Sequence, residues 1–208
     1  MSTESQLRER LCEVGRRLYQ RGLCPGTSGN LSARLEDTWL LTPTNSCLGE
    51  LLPRDISLLD FEGNHLSGKK PSKESFMHLA YYQHRPEARA VVHLHSTYAV
   101  AVSCLQDLNA DSCVPFITPY FVMRIGDLPV VPYLRPGDAR LGEEIASRAA
   151  NHVAVLLANH GPVVSGKTLD EAVNNAEELE EGLKVYFLLQ DKKPMLLTPE
   201  QVEALRRM

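Results

Sequence analysis

Apolar residues recur at spacings of three and four through Leu7, Leu11, Val14 and Leu18, which predicts an amphipathic helix opened by a Thr3-x-x-Gln6 capping box and stopped at Gly22. The period then shortens. Residues 31–35 and 39–41 are brief apolar segments on either side of Glu36-Asp37, the pattern of a hairpin, and residues 56–60 before Phe61-Glu62-Gly63-Asn64 predict a further strand and its return. Pro71-Ser72-Lys73-Glu74 reads as a loop entering a helix, with Ser72 as N-cap, Glu74 in the first turn, and Phe76, Met77, Leu79 and Ala80 beginning the apolar face. Residues 88–95 are apolar enough for a central strand, and a helix over 97–105 leaves it.

Prolines interrupt residues 114–119 and 129–133, which predicts short strands near edges or ends. Pro136-Gly137-Asp138 opens a helix through Ala150, and residues 153–158 form a solidly apolar strand ending at Asn159-His160-Gly161-Pro162. A second capping box, Thr168-x-x-Glu171, starts the longest helix, to about Asp191, with Leu169, Val173, Ala176, Leu179 and Leu183 inward. Thr198-Pro199 starts a short terminal helix. Strands interleaved with helices, with hairpins and no regular βαβ period, predict a mixed sheet flanked by helices in a single domain over residues 1–208.

Composition excludes several classes. The chain is 43% hydrophobic and 23% charged, ordinary for a globular protein. No apolar run approaches the roughly 18–20 residues that span a bilayer, and the N-terminus is polar, so a soluble cytoplasmic protein with no membrane partner is expected. Cys12, Cys24, Cys47, Cys104 and Cys113 are odd in number and form no C-x-x-C pair, which argues against a disulfide framework and a thiolate zinc finger; most should be small buried hydrophobes. A net charge of -4 with no dense Lys/Arg block argues against nucleic acid.

The candidate chemistry begins at His93 and His95. Alternate residues of a strand project from one face, so both imidazoles point at one place, as metal ligands do; two hydrogen-bonded core or surface histidines would show the same spacing. Zinc takes three or four N, S or O donors and in catalytic sites keeps one position open. His160, at the end of an apolar strand, can be a third ligand or a turn histidine bonded to nearby backbone. Glu74 can be a fourth ligand or a base, or an acidic residue complementing the macrodipole of its helix. Residues 26–30 hold two glycines and could present backbone N–H groups to an anion, with Ser72 and Lys73 adding donors and charge, although a glycine-rich turn is also simply a turn.

Taken in order, G-T-S-G-N-L-S-A-R, T-P-T, P-S-K-E, H-L-H-S-T-Y-A and A-N-H-G resemble the class II aldolase family of L-fuculose-1-phosphate aldolase and L-ribulose-5-phosphate 4-epimerase. The resemblance implies a three-layer α/β/α fold with a central mixed, mainly antiparallel sheet, and one Zn2+ per subunit near a subunit boundary in a homotetramer. Glu74 falls on the family's acid/base and metal-coordinating carboxylate, and His93, His95 and His160 on its metal ligands. The phosphate pattern maps onto Gly29 and Asn30, with Ser28 in the same turn, onto Thr44 and Asn45, and onto Ser72 and Lys73. Asn45 and Lys73 depart from the aldolase pattern, and the added charge of Lys73 suits a more anionic substrate.

Those departures are similar to one branch, the 3-oxo-tetronate 4-phosphate decarboxylases, as are T-N-S-C-L-G-E, H-L-S-G-K-K-P-S-K-E, V-P-Y-L-R-P-G-D and L-L-A-N-H-G-P-V-V-S-G. That branch implies a phosphorylated four-carbon sugar-acid substrate, 3-dehydro-4-phospho-erythronate, decarboxylated to dihydroxyacetone phosphate through a metal-stabilised enediolate. By the same likeness Tyr120 is a candidate catalytic acid, with a buried structural tyrosine as the alternative; Lys73, Arg124 and Arg135 are candidate anion contacts or solvated charges. Two other functions remain open: an aldolase or 4-epimerase acting on a phosphorylated ketose, and a non-catalytic module like the adducin head, which the retained Glu74, His93, His95 and His160 oppose.

Overall fold

A strand buried on both faces needs apolar cover on both, because its side chains alternate. The computed structural model, which describes residues 3–207, meets that need with one eight-stranded sheet between two helical layers. The strands are β1 (Asn30–Arg34), β2 (Thr38–Leu41), β3 (Ser57–Asp60), β4 (His65–Ser67), β5 (Ala90–His93), β6 (Val130–Val131), β7 (Ala154–Leu157) and β8 (Gly161–Gly166). Their order is β4-β3-β2-β1-β5-β8-β7-β6, antiparallel throughout except for the edge pair β6 and β7. This is the mixed, mainly antiparallel α/β/α arrangement expected from the sequence.

Among the described residues are also two 3-10 turns, Leu48–Glu50 and Pro53–Asp55, and seven α-helices: α1 (Glu4–Gln20), α2 (Ser75–His84), α3 (Thr97–Ser103), α4 (Pro119–Arg124), α5 (Arg140–Ala149), α6 (Leu169–Leu189) and α7 (Pro199–Arg206). Ala90, Val92, Ala154 and Leu156 turn to one face and share a core with Leu11 and Leu18 of α1 and Val173 and Leu179 of α6. Val91, Val155 and Leu157 turn to the other, against Tyr81 of α2 and Ile145 of α5. Enclosing such a side chain is worth roughly 1.5–3 kcal/mol, so two full cores make the middle of the sheet a stiff platform. β5 lies at its centre, paired with β1 on one side and β8 on the other.

Several expectations need correction. Ser72 is not the N-cap of α2: the chain makes one more turn, Glu74 occupies the cap position rather than the first turn, and the Glu74 amide donates to Ser72 Oγ. Residues 114–119 form no strand, since Pro115 and Pro119 remove ladder donors and Pro119 instead starts α4. The expected turn at Gly161-Pro162 is itself the start of a strand, β8, which forms a hairpin with β7. Thr3 and Thr198 make complete capping boxes, but Thr168 makes half of one, because the Glu171 carboxylate accepts from Lys167 N–H. All five cysteines are free; Cys12, Cys24 and Cys113 are buried, Cys47 is half-buried and Cys104 exposed. No described helix is long and apolar enough to cross a membrane.

Candidate metal centre

β5 delivers His93 at its last position, in register with Asn30 of β1 and Val163 of β8, so the backbone is held from both sides. The ring is wholly buried. Its Nδ1 lies 2.8 Å from the Pro162 carbonyl, which can only accept, so Nδ1 carries the proton and the Nε2 lone pair faces inward. His95 follows two residues later, with its Nε2 3.1 Å from that of His93.

His160 comes from the corner between β7 and β8. That corner is tight: Asn159 adopts a left-handed φ of 55°, and a Cβ on Gly161 would stand 2.5 Å from the Leu94 carbonyl oxygen. Gly29 makes the matching approach from the other side, where a Cβ would stand 2.8 Å from the His93 carbonyl oxygen. Glycine at both positions lets the flanking segments close around the end of β5. The three rings meet edge to face with centroids 4.9 Å apart in each pair, and their candidate ligand atoms all lie within 4.8 Å of one another.

Glu74, at the N-cap of α2, closes the fourth side. Its Oε1 lies 3.4 Å from His160 Nε2 and its Oε2 3.6 Å from His93 Nε2. Donors placed tetrahedrally at the usual zinc bond length of about 2.0–2.1 Å are roughly 3.3 Å apart, close to the 3.1 Å between His93 and His95 and the 3.4 and 3.6 Å from Glu74 to His160 and His93. The chemistry agrees with the spacing. Burial pushes His93 well below its ordinary range, helped by positive charge on His160 or His95, and burial likewise lowers His95 and His160. All three are therefore biased toward the neutral form, the one that ligates metal. His160 Nδ1, buried, has no partner among the described residues.

A second clamp holds the chain beyond His95. The carboxylate of Glu180, on α6, accepts from Ser96 Oγ at 2.6 Å and from the Tyr98 and Ala99 N–H groups at 2.9 Å. It thereby satisfies the first turn of α3 and ties that corner to the longest helix.

Two clefts meet at Glu74 and His95. One, of about 520 Å³, adds His160, Asn159, Thr97, Val100, Tyr133 and Leu134. The other, of about 300 Å³, is lined by Ser28, Gly29, Asn30, Thr44, Asn45, Ser72 and Lys73, so the structure gathers all seven expected phosphate residues in one place. The amide of Asn30, however, is only 4% exposed and is occupied by His78 and Glu74. Tyr120 is neither buried nor in either cleft: it is 60% exposed on α4. Arg124 and Arg135 also line neither. A larger cavity of about 610 Å³, between residues 105–116 and α6, contains none of these groups.

Sequence reasoning missed Tyr133, Leu134, Asn159 and the buried His78. The first two lie in V-P-Y-L-R-P-G-D, a stretch whose likeness to the decarboxylase branch gave neither residue a role.

Comparison with known proteins extends the picture. The profile of the class II aldolase and adducin N-terminal domain family matches residues 9–187. The chain is 50% identical over 206 residues to a 3-oxo-tetronate 4-phosphate decarboxylase of Pectobacterium atrosepticum, covering 99% of this chain and 94% of the relative. It is 33% identical over 201 residues to the L-fuculose phosphate aldolase of Escherichia coli, covering 94% of this chain and 91% of that one. Among solved structures, the crystal structure of YgbL from Escherichia coli superposes with a TM-score of 0.96 at 48% identity, over 99% of this chain and all of the other.

Proposed function

We propose, for a chain that belongs to the class II aldolase and adducin N-terminal domain family and is a metal-dependent carbon–carbon lyase, that its reaction is the decarboxylation of 3-oxo-tetronate 4-phosphate to dihydroxyacetone phosphate and carbon dioxide. One observation carries the lyase chemistry: Glu74 stands between the three histidines and the polar cleft, within reach of both. The choice of substrate is supported by identity of 50% to the decarboxylase against 33% to the aldolase.

His93, His95 and His160 would hold a divalent cation, with zinc favoured by the nitrogen donor set, and it would supply Lewis acidity for the negative charge that develops on substrate oxygen as the carbon–carbon bond breaks. Thr44, Ser72 and the backbone of Ser28 and Gly29 donate to the phosphate, and Lys73 offsets its charge. With the phosphate held there, the reacting carbons reach toward Glu74. Loss of carbon dioxide leaves an electron pair on the adjacent carbon, and Glu74 passes to that carbon a proton it takes up from solvent at its cleft-facing oxygen, which completes the product. In the substrate-free protein Glu74 would stand close enough to the three histidines to be a fourth ligand to that cation. Tyr120, which faces outward from its own subunit, would serve as an acid only in the site of a neighbouring copy, as a homotetramer with sites at subunit boundaries would allow. We read the chain as one domain over residues 1–208, working in the cytoplasm.

The reading is tested by offering purified protein 3-oxo-tetronate 4-phosphate, L-fuculose 1-phosphate and L-ribulose 5-phosphate in parallel. Carbon dioxide and dihydroxyacetone phosphate should appear only with the first. Cleavage or epimerisation of a ketose phosphate, without carbon dioxide from the tetronate, would establish the second reading, an aldolase or epimerase, for which the shared metal set and the 33% identity speak. A protein that takes up no divalent metal when zinc is supplied would instead be a non-catalytic module.

A further inference from the structure

Behind Glu74 lies a row of buried polar side chains that no cleft reaches beyond Asn30. Asn30 Nδ2 donates to Glu74 Oε2 at 2.8 Å, and Asn30 Oδ1 pairs with His78 Nε2. Ser32 Oγ lies 2.7 Å from His78 Nδ1 and 2.6 Å from the Tyr82 hydroxyl. Asn30, Ser32, His78 and Tyr82 are all at most 4% exposed, and Trp39 stacks on His78 at 6.4 Å between ring centroids. An apolar core would accept aliphatic side chains at these positions without the risk of an unpaired polar atom, so a polar row here asks for a reason.

The hydrogen bonds have one consistent direction. A carboxylate offers only acceptors, so the nitrogen of Asn30 must face Glu74 and its oxygen must face His78. His78 then carries its proton on Nε2 and accepts at Nδ1 from Ser32, whose oxygen accepts in turn from Tyr82. Every donor in the row points toward Glu74. Burial pushes the protonated form of His78 down to about 3, so the ring stays neutral.

We infer that Tyr82, Ser32, His78 and Asn30 form a positioning row for the proposed reaction: it holds Oε2 of Glu74 against Asn30 and so leaves Oε1 turned to His160 and the cleft. His78 and Asn30 are the positioning residues, and neither touches the reacting carbons. The inference rests on the reading of Glu74 as the acid/base of the site.

The test uses the intact protein and two substitutions of one residue. His78→Leu removes both hydrogen bonds, whereas His78→Gln keeps a donor for Asn30 and an acceptor for Ser32. In the leucine variant kcat for carbon dioxide release should fall about 10–100-fold, the usual worth of an outer partner at a metal site, with KM unchanged. Glutamine should restore most of kcat, even where both variants melt earlier to a similar extent. Equal loss of kcat in the two variants, tracking their loss of stability, would overturn the inference and leave His78 a structural residue. A second readout needs no substrate: nuclear magnetic resonance of isotope-labelled histidine in the wild-type protein should show His78 as the neutral Nε2–H tautomer. An Nδ1–H tautomer or a doubly protonated ring would break the row. Wild-type protein that releases no carbon dioxide would sink the proposed function, while the tautomer would still decide the row.

Discussion

On one side of Glu74 the groups are held by paired strands and by contacts that admit no alternative: His93 within the ladder, His160 on a corner where only glycine fits beside Leu94, and the chain after His95 fastened by Glu180. On the other side they come from three turns, at residues 27–30, 44–45 and 72–73, with Lys73 exposed. The contrast separates two demands on one site. Metal ligands must be placed to a few tenths of an ångström, and the stiff centre of a sheet provides that; recognition of a phosphate tolerates looser geometry and resides on loops. Under the proposed function, one metal set combined with different loops would serve different sugar phosphates.

Substitutions should reveal the asymmetry. His93→Ala or His160→Ala should abolish stoichiometric metal binding and cut activity by more than the roughly 10–100-fold that outer partners are worth; metal analysis and turnover measure both. Glu180→Ala strands three donors, at Ser96, Tyr98 and Ala99, and should cost about 3 kcal/mol of stability in a urea titration, with bound metal weakened in the variant that still folds.

The buried histidines make the rigid side sensitive to acid. His78, His93, His95 and His160 all bind protons less readily in the folded chain than at the ordinary value of 6.5, so the unfolded chain holds the extra protons. Their contribution is complete above that value and is lost as pH falls below it. Stability of metal-free protein should drop by about 1.4 kcal/mol per pH unit for each extra proton taken up on unfolding. Denaturant melts between neutral pH and mild acid would show it, and a flat profile would count against burial of neutral rings.

Lys73→Ala, on the adaptable side, should change least. It should raise KM for the phosphorylated substrate about tenfold, with kcat and melting temperature unchanged and with a weaker salt dependence than wild type. A large loss of kcat in that variant would erase the distinction between the two sides.

What could be read in the sequence follows the same division. His93 and His95 were visible because strand period is local, and His160 because a glycine turn after an apolar run is local too. The paired strand β8 was hidden, since Gly161-Pro162 reads as a stop; only the fold shows that Gly161 makes room for the Leu94 carbonyl and that Pro162 offers its own carbonyl to His93. Ser72 looked like a helix cap because its type and place were right, but Glu74 took that position. Glu180 and His78 carried no sign at all. A glutamate in a long helix and a histidine on an apolar face take their meaning from partners such as Ser96 and Asn30, distant in the chain. Tyr133 was hidden for the same reason, as cleft walls are assembled from separate loops.

The most direct measurement is carbon dioxide release from 3-oxo-tetronate 4-phosphate by protein stripped of metal with a chelator and then titrated with zinc. Release should be absent at first and should rise to its plateau at one equivalent per chain in the wild type, with no recovery in His93→Ala. Release that persists without metal, or that never appears at any zinc concentration, would contradict the account.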